Sequence, residues 1–208
     1  MKLVLASNNA KKLAELQTLL GGLAIELAAQ GTLGVAEADE PHATFVENAL
    51  AKARHAARTT GLAAIADDSG LCVDALGGAP GVASAVFAST PAFDGDRETQ
   101  RRAQDAANNA LLQQRMQGIA DRRCRFVSTL VALRHADDPE PLIAFGHWDA
   151  VLLEAPRGDG GFGYDPLVWI GAQQASVAEM SADAKNRVSH RALAATQMRA
   201  LMRDAWRL

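Results

Sequence analysis

The chain has 208 residues, of which 49% are hydrophobic and 22% are charged, and its formal net charge is −3. This composition is typical of a soluble globular protein and excludes a disordered or fibrous one. The balanced charge and the lack of a basic tract argue against a polymeric nucleic acid as partner. No apolar run approaches the ~20 residues of a membrane span, so we expect no membrane partner.

Size and cysteine content narrow the class further. At about 100 to 200 residues per domain, residues 1–208 predict a single domain or a compact two-lobed one. The only cysteines, Cys72 and Cys124, each lie in a strand-like run, which excludes a disulfide framework and a Cys-x-x-Cys zinc site. We therefore expect a reducing, cytoplasmic setting.

The first elements are a strand, a polar turn and a helix. The apolar run from Leu3 to Ala6 predicts a buried strand, and the polar residues 7–9 favour a helix cap. Leucines at helical spacing then predict a helix that ends before Gly21, and residues 23–28 favour a second strand.

The next elements surround a pair of aspartates. Residues 44–47 match a capping box, which predicts a helix running to about Thr59. Residues 62–66 predict a strand that ends in a loop at residues 67–70. Residues 71–76 then resume the apolar character before a glycine-rich loop at 77–81.

The second half of the chain mixes helices with a hairpin. A helix is predicted over residues 97–117, and its buried face is expected to carry Ala103, Ala107, Ala110, Leu111 and Gln114. Residues 124–133 and 142–153 predict the hairpin, residues 167–170 a short strand, and Ser181 the cap of a brief helix. A C-terminal helix is expected to bury Ala194, Met198, Leu201, Met202 and Ala205. The pattern predicts an α/β fold with a mixed central β-sheet flanked by helices, in two lobes with a cleft between them.

A candidate phosphate site comprises the residues at the start of the first helix: Ser7, Asn8, Asn9, Ala10, Lys11 and Lys12. Backbone N–H groups at a helix start, polar side chains and a lysine can together hold a phosphate. Simple capping of the helix is the alternative, because any strand-to-helix turn with a polar cap has a similar sequence.

The paired aspartates are the second candidate. Adjacent carboxylates at a strand end can hold a divalent cation or activate a water, and we expect one of Asp67 and Asp68 to point outward. The alternative is an Asx turn closed by Gly70. Glu47 can act with them or only complete its capping box, and Lys52 can point into a cleft or, like most helical lysines, face water.

The third candidate is the glycine-rich segment 158–163 with the residues that follow it. Its Gly-x-Gly-x-x-Gly pattern precedes a strand rather than a helix, which argues against a dinucleotide site. It is either a plain loop or one that presents Phe162, Tyr164 and Asp165 to a ligand. Basic residues near the start of the last helix suit an anionic or carbonyl-bearing ligand, or face water.

Six short motifs occur in order along the chain: Ala6-Ser7-Asn8-Asn9-Ala10-Lys11-Lys12, Phe45-x-Glu47-Asn48-Ala49, Ala66-Asp67-Asp68-Ser69-Gly70-Leu71, Gly77-Gly78-Ala79-Pro80-Gly81, Gly161-Phe162-Gly163-Tyr164-Asp165-Pro166 and Ser189-His190-Arg191. Together they resemble the inosine/xanthosine triphosphate pyrophosphatase family over nearly the whole chain. The resemblance implies hydrolysis of ITP, dITP and XTP to the monophosphate and pyrophosphate, with Mg²⁺, in a two-lobed homodimer.

The resemblance also implies roles for individual residues. Asp68 becomes the proton acceptor for the attacking water and a Mg²⁺ ligand, Glu47 its metal partner, and Ser69 a nucleotide contact, with Lys52 assisting. The resemblance implies that the triphosphate is bound by Ser7, Asn8, Asn9, Ala10, Lys11 and Lys12. The base pocket would be lined by Phe162, Gly163, Tyr164 and Asp165, and the purine would be recognised by Lys185, His190 and Arg191. Donors at O6 would reject adenine, which carries an amino group there.

One segment departs from the family. After Gly81 members commonly continue with an aromatic residue and Ser-Ala-Arg, whereas this chain reads Val-Ala-Ser-Ala-Val-Phe over residues 82–87. The change predicts altered affinity or assembly if this loop binds phosphate or forms the dimer. Two alternatives therefore stay open: a catalytically weak nucleotide-binding protein, and a related hydrolase with a different base preference.

Overall fold

The computed structural model describes residues 1–89 and 96–208. In that part of the chain the helices are α1 (Ala10–Leu19), α2 (Phe45–Thr60), α3 (Arg97–Arg115), α4 (Ala182–Val188) and α5 (His190–Trp206). The strands are β1 (Lys2–Leu5), β2 (Glu26–Ala29), β3 (Ala63–Val73), β4 (Arg123–Leu133), β5 (Leu142–Leu152), β6 (Val168–Ile170) and β7 (Ala175–Ser176).

The strands form one seven-stranded sheet in the order β2-β1-β3-β4-β5-β6-β7. β1 pairs in parallel with both β2 and β3, whereas β6 pairs antiparallel with β5 and β7. β4 and β5 are neighbours joined by residues 134–141, and the Leu152 N–H donates to the Arg122 carbonyl just before β4 begins, as in the predicted hairpin. The prediction of a mixed sheet flanked by helices is confirmed.

The chain divides into two compact units. The first unit contains Met1–Ser69, Ser128–His147 and Val188–Leu208, and the second contains Gly70–Val127 and Trp148–Arg187. In the first unit, alternate residues of the strands pack against different helices, because strand side chains point to opposite faces in turn. Leu3, Leu5 and Ile65 pack with α1 and α5, and Val4 and Ala66 pack with α2.

The expected loop at residues 67–70 is wrong. β3 runs without interruption from Ala63 to Val73 through both aspartates, Ser69 and Gly70. Turn-forming residues are tolerated inside this strand because their side chains have partners within the fold: Asp67 pairs with Lys12 and Arg191, and Asp68 pairs with Lys52. The expectation that one aspartate points outward is also wrong, since Asp67 is 1% and Asp68 4% exposed.

The buried face of α3 also differs from the prediction. Ala103, Ala110 and Gln114 are exposed. The buried positions are instead Asn108 and Leu112 in α3 and Met116 directly after it, each four residues from the next. An asparagine occupies a core position there because its side chain bonds to backbone groups: Nδ2 donates to the carbonyls of Ser84 and Ala85 at 3.2 Å each. Apolar periodicity alone cannot reveal such a residue.

The end of the chain and the cysteines follow the sequence more closely. Ser181 Oγ accepts from the third residue of a brief helix, and α5 buries Ala194, Met198 and Met202, although Ala205 is exposed. Both cysteines are buried free thiols. No helix within residues 1–89 and 96–208 is long and apolar enough to cross a membrane.

Candidate active site

The two aspartates of β3 point to opposite faces of the first unit. Successive strand residues alternate between faces, so Asp67 lies on the α1 and α5 side and Asp68 on the α2 side. The contacts agree: Asp67 pairs with Lys12 and Arg191, and Asp68 pairs with Lys52. One dipeptide in a strand thereby supplies a carboxylate to each of two ionic clusters.

The Asp68 cluster joins β3, α2 and the segment before α2. Lys52 Nζ lies 2.8 Å from Asp68 Oδ1 and 3.2 Å from Glu40 Oε1, and it donates to the Asp67 carbonyl at 3.3 Å. Lys52 is 8% exposed, so the solvated alternative for this lysine is wrong. Burial alone would lower the pKa of Lys52, but Asp68 and Glu40 raise it above its ordinary value.

Asp68 is a buried carboxylate with a raised pKa and one oxygen free of hydrogen bonds to the described residues. Burial, opposed by Lys52 and reinforced by Glu40, raises its pKa to about 6. Its second oxygen, Oδ2, is buried and has no hydrogen-bond partner among the described residues. A buried carboxylate oxygen without a donor is costly unless a cation, a water or a substrate group completes it. Oδ2 is therefore the atom of this cluster best suited to accept a proton or a metal ion.

Glu47 lies outside these contacts. It is exposed, its backbone N–H bonds to the Thr44 hydroxyl at 3.3 Å, and its carboxylate accepts from that hydroxyl at 2.5 Å. Glu47 thus supports the start of α2, whereas Glu40 is the carboxylate that shares Lys52 with Asp68. Within residues 1–89 and 96–208, no group of three or more His, Cys, Asp or Glu side chains could hold a metal.

Asn48 supports the segment that carries Glu40. It is 1% exposed, and its amide both accepts from the His42 N–H at 3.0 Å and donates to the His42 carbonyl at 3.2 Å. Because both backbone groups of His42 are held, the chain two residues after Glu40 is fixed to α2. The Phe-x-Glu-Asn-Ala motif therefore contributes its asparagine to the fold.

Asp67 is the centre of the second cluster. Its Oδ2 lies 3.0 Å from both Lys12 Nζ and Arg191 Nη2, and its Oδ1 accepts from Ser128 Oγ at 2.7 Å. Burial alone would raise the pKa of Asp67, but Arg191 and Lys12 hold it well below its ordinary value. Ser69 Oγ donates to the same carboxylate and accepts from Arg191.

Arg191 makes four hydrogen bonds inside this cluster. It is 1% exposed, its Nη1 bonds to Glu15, and Nε and Nη2 both donate to Asp67. Burial alone would lower the pKa of Arg191, and the two carboxylates raise it. Burial lowers the pKa of Lys12, against the opposing effect of Asp67. The alternative that the basic residues near the start of α5 face water is wrong, because Arg191, His190 and Lys185 are 1%, 4% and 6% exposed.

The residues before α1 cap the helix, as the simpler of the two interpretations of this turn predicts. Asn9 Oδ1 accepts from the backbone N–H groups of Lys11 and Lys12 at 3.0 and 3.2 Å, and Ser7 Oγ accepts from Asn9 N at 3.1 Å. Asn8 Nδ2 bonds to Glu37 at 3.1 Å. Ala10 is the first residue of the helix. The capping is realised, and the phosphate role of residues 7–12 stays a prediction.

The second unit holds the aromatic segment around a buried ion pair. Lys185 Nζ lies 2.8 Å from Asp165 Oδ2 and 4.5 Å from the centre of the Phe162 ring, so it makes an ion pair and a cation–π contact together. Asp165 Oδ2 also accepts from the Phe162 N–H at 3.0 Å. A Cβ on Gly161 would overlap the Asp165 carboxylate, so only glycine fits there.

Each unit therefore gathers its own share of the predicted residues. The first unit contains Ser7 to Lys12, Lys52, Asp68, Ser69 and Arg191, together with Glu47 and His190; the second contains Phe162 to Asp165 and Lys185. Sequence reasoning missed Glu15, Glu40 and Ser128 and gave Asp67 no role of its own. The alternation of an uninterrupted strand is the signal that could have found Asp67.

Comparison with known proteins extends over nearly the whole chain. Residues 3–201 match the model of the Ham1 family. A dITP/XTP pyrophosphatase of Methylibium petroleiphilum is 69% identical over 206 residues, which cover 99% of each chain. That of Leptothrix cholodnii is 64% identical, with complete coverage of both chains.

Solved structures give the same result. A HAM1 protein from Coxiella burnetii superposes with a TM-score of 0.87 at 38% identity and covers 98% of this chain and 99% of its own. The Ham1 protein of Staphylococcus aureus superposes with a TM-score of 0.82 at 28% identity and covers 99% and 100% of the two chains.

Proposed function

The chain belongs to the Ham1 family, and from this premise we propose that it hydrolyses non-standard purine nucleoside triphosphates. Its substrates are dITP, XTP and ITP, and its products are the nucleoside monophosphate and pyrophosphate. The relatives at 69% and 64% identity are named dITP/XTP pyrophosphatases and match along their full length. The enzyme removes these nucleotides from the pool.

The observation that carries the chemistry is the environment of Asp68. A buried carboxylate with one oxygen on Lys52 and the other without a donor is suited to take a proton from a water. Lys52 holds the side chain in place while Oδ2 remains available. We assign Asp68 as the base that activates the water for attack at the α-phosphorus.

The same atom supports a Mg²⁺ requirement. Mg²⁺ prefers hard oxygen ligands, and Asp68 Oδ2 is such an oxygen without a partner among the described residues. Mg²⁺, when bound, supplies positive charge that neutralises the pyrophosphate leaving group. Glu47 and Glu40 are both candidates for the second carboxylate, and the shared contact with Lys52 favours Glu40.

The remaining predicted residues divide between phosphate and base. Ser7 to Lys12 contact the triphosphate at the start of α1, where the positive end of the helix dipole and two lysines favour anions. The segment from Phe162 to Asp165 lines the base pocket, with Lys185 beneath the ring of Phe162. His190 and Arg191 read the 6-keto group, and Ser69 contacts the nucleotide.

We further propose that the protein acts as a homodimer of two-lobed, single-domain protomers, with the substrate bound in a cleft, and that it works in the cytoplasm. The cytoplasmic assignment follows from the substrate, because nucleoside triphosphate pools are maintained there. A single monomeric mass by light scattering at working concentration would contradict the dimer.

Pyrophosphate release tests the function directly. The protein is incubated with ITP, XTP, dITP, ATP and GTP, first with Mg²⁺ and then with EDTA. We expect release that depends on Mg²⁺ and is confined to the first three nucleotides. No release from any of them, combined with retained binding of ITP, would favour the nucleotide-binding alternative, and release from another nucleotide would favour a different base preference.

A matched pair of variants identifies the second metal carboxylate. Glu40→Gln and Glu47→Gln remove the same charge on either side of the start of α2. We expect Glu40→Gln to raise the Mg²⁺ concentration for half-maximal activity and Glu47→Gln to leave it unchanged. The reverse result would assign the metal to Glu47.

A further inference from the structure

The segment from Phe162 to Asp165 is anchored to α3 through both polar groups of one glycine. Asp105 Oδ2 accepts from the Gly163 N–H at 2.8 Å, and Asn109 Nδ2 donates to the Gly163 carbonyl at 2.9 Å. Asp105 and Asn109 are four residues apart, so their side chains project from the same face of α3. One helical turn thereby holds a single residue of the segment from both sides.

Gly163 is the residue of this segment with the greatest backbone conformational freedom. Its φ of +63° is left-handed. Glycine adopts positive and negative φ about equally readily, so the residue type alone does not fix this conformation. Two side-chain hydrogen bonds from a helix provide that selection. The direction of Phe162 before the turn and of Tyr164 after it therefore depends on α3.

A second contact from α3 reaches the same segment through a neighbouring stretch. Tyr164 Oη donates to the Ser84 carbonyl at 2.9 Å, and Asn108 Nδ2 donates to that same carbonyl at 3.2 Å. Asn108 Oδ1 also accepts from the Ala88 N–H at 2.8 Å. Residues 84–88 overlap the stretch that departs from the family's usual sequence, and α3 ties it to the aromatic segment.

We propose that Asp105 and Asn109 are positioning residues for nucleotide binding, because they fix the Gly163 turn and so present Phe162 and Asp165 to the base in a preformed arrangement. The inference rests on the proposed function, which assigns this segment to the base. Its energetic basis is preorganisation: a segment that is ordered before substrate arrives loses less conformational entropy on binding.

The first arm of the test measures the segment without substrate. Amide hydrogen exchange is followed in a peptide spanning residues 158–167 for the wild type, Asp105→Ala and Asn109→Ala. We expect faster exchange in both variants. Asp105→Asn retains an acceptor oxygen and should restore slow exchange. Gln114→Ala, an exposed position on the same helix, serves as the control and should exchange like the wild type.

The second arm measures turnover of dITP. For Asp105→Ala combined with Asn109→Ala, we expect KM to rise roughly tenfold with kcat within about twofold, since the two lost hydrogen bonds weaken binding and leave Asp68 unaffected. The single variants give smaller increases and remain informative if the double variant folds poorly. A purely structural role would instead lower the fraction of active protein and leave KM unchanged.

The outcomes separate this inference from the proposed function. Unchanged exchange in both alanine variants, or faster exchange with an unchanged KM, overturns the inference while the wild-type activity stands. A wild-type chain that releases no pyrophosphate overturns the proposed function, and with it the base assignment, whereas the exchange arm still decides whether α3 holds the segment.

Discussion

The first unit holds its candidate side chains mainly through pairs of opposite charge, whereas the second holds its aromatic segment mainly through side chains bonded to the backbone. In the first, Asp67 pairs with the half-buried Lys12 and the buried Arg191, and Asp68 pairs with the buried Lys52. In the second, Asp105 and Asn109 bond to the two polar groups of Gly163. The difference predicts that losing one charge in the first unit costs far more than losing one hydrogen bond in the second.

Asp68→Asn should give the largest effect. The amide keeps an acceptor for Lys52 but cannot take a proton from water, so we expect turnover to fall about 10³-fold while the fold remains intact. Pyrophosphate release measures the loss, and far-ultraviolet circular dichroism checks the fold. An active, well-folded variant would remove Asp68 from the mechanism.

Asp67→Asn tests how much the ion pairs of the first unit contribute to the free energy of unfolding. Removing this charge takes the ion-pair partner from the half-buried Lys12 and leaves the buried Arg191 with Glu15, and breaking such a buried pair costs about 3 kcal/mol or more. Urea unfolding at neutral pH measures the change. Asp121→Asn is the control, because its pair with Arg123 is exposed to solvent and should contribute nothing measurable.

The two clusters also show how much of the fold and of the candidate site the sequence predicts. The motifs made Asp68 and Arg191 candidates, the position of Lys52 on its predicted helix added that residue, and strand, helix and cap patterns placed most elements correctly. Two kinds of feature escaped: polar residues read as a turn that fold as strand, and polar helix residues that satisfy distant backbone groups. Both depend on partners far along the chain, such as Ser128 for Asp67, which local propensity does not contain.

The turn between β4 and β5, in the first unit, is also held by a side chain that bonds to backbone groups. Asp138 accepts from the N–H groups of Arg134 and Glu140 at 2.9 and 3.0 Å. Burial alone would raise the pKa of Asp138, but these donors and the Arg134 guanidinium lower it below its ordinary value of 3.8. The unfolded chain thus binds the proton more readily, so the stabilisation is present above pH ~4 and is lost as the pH falls through the lowered folded pKa.

Asp138→Ala should therefore reduce the free energy of unfolding by about 2 kcal/mol at pH 7, and by less in acid. Urea unfolding at both pH values measures the difference. Asp137→Ala, whose side chain is 89% exposed, is the neighbouring control and should change stability little. A loss that is the same at both pH values would show that the Asp138 charge is not its source.

The smallest effect belongs to the second unit and isolates backbone conformation from packing. A Cβ on Gly163 would meet no atom within 4 Å, so Gly163→Ala tests only the left-handed φ of +63°. That conformation costs a non-glycine residue about 1 kcal/mol. Gly171→Ala is matched, because its Cβ also meets open space while its φ lies outside the left-handed region.

Thermal unfolding of the two variants decides the point. We expect Gly163→Ala to lower Tm by a few degrees and Gly171→Ala to leave it unchanged or raise it slightly, since alanine restricts the unfolded chain more than glycine does. If Asp105 and Asn109 hold the Gly163 peptide, the variant cannot escape the strain by turning its backbone without losing those hydrogen bonds. Equal Tm values for both variants would mean that the segment relaxes freely, and the second unit would then lack the rigidity that its hydrogen bonds imply.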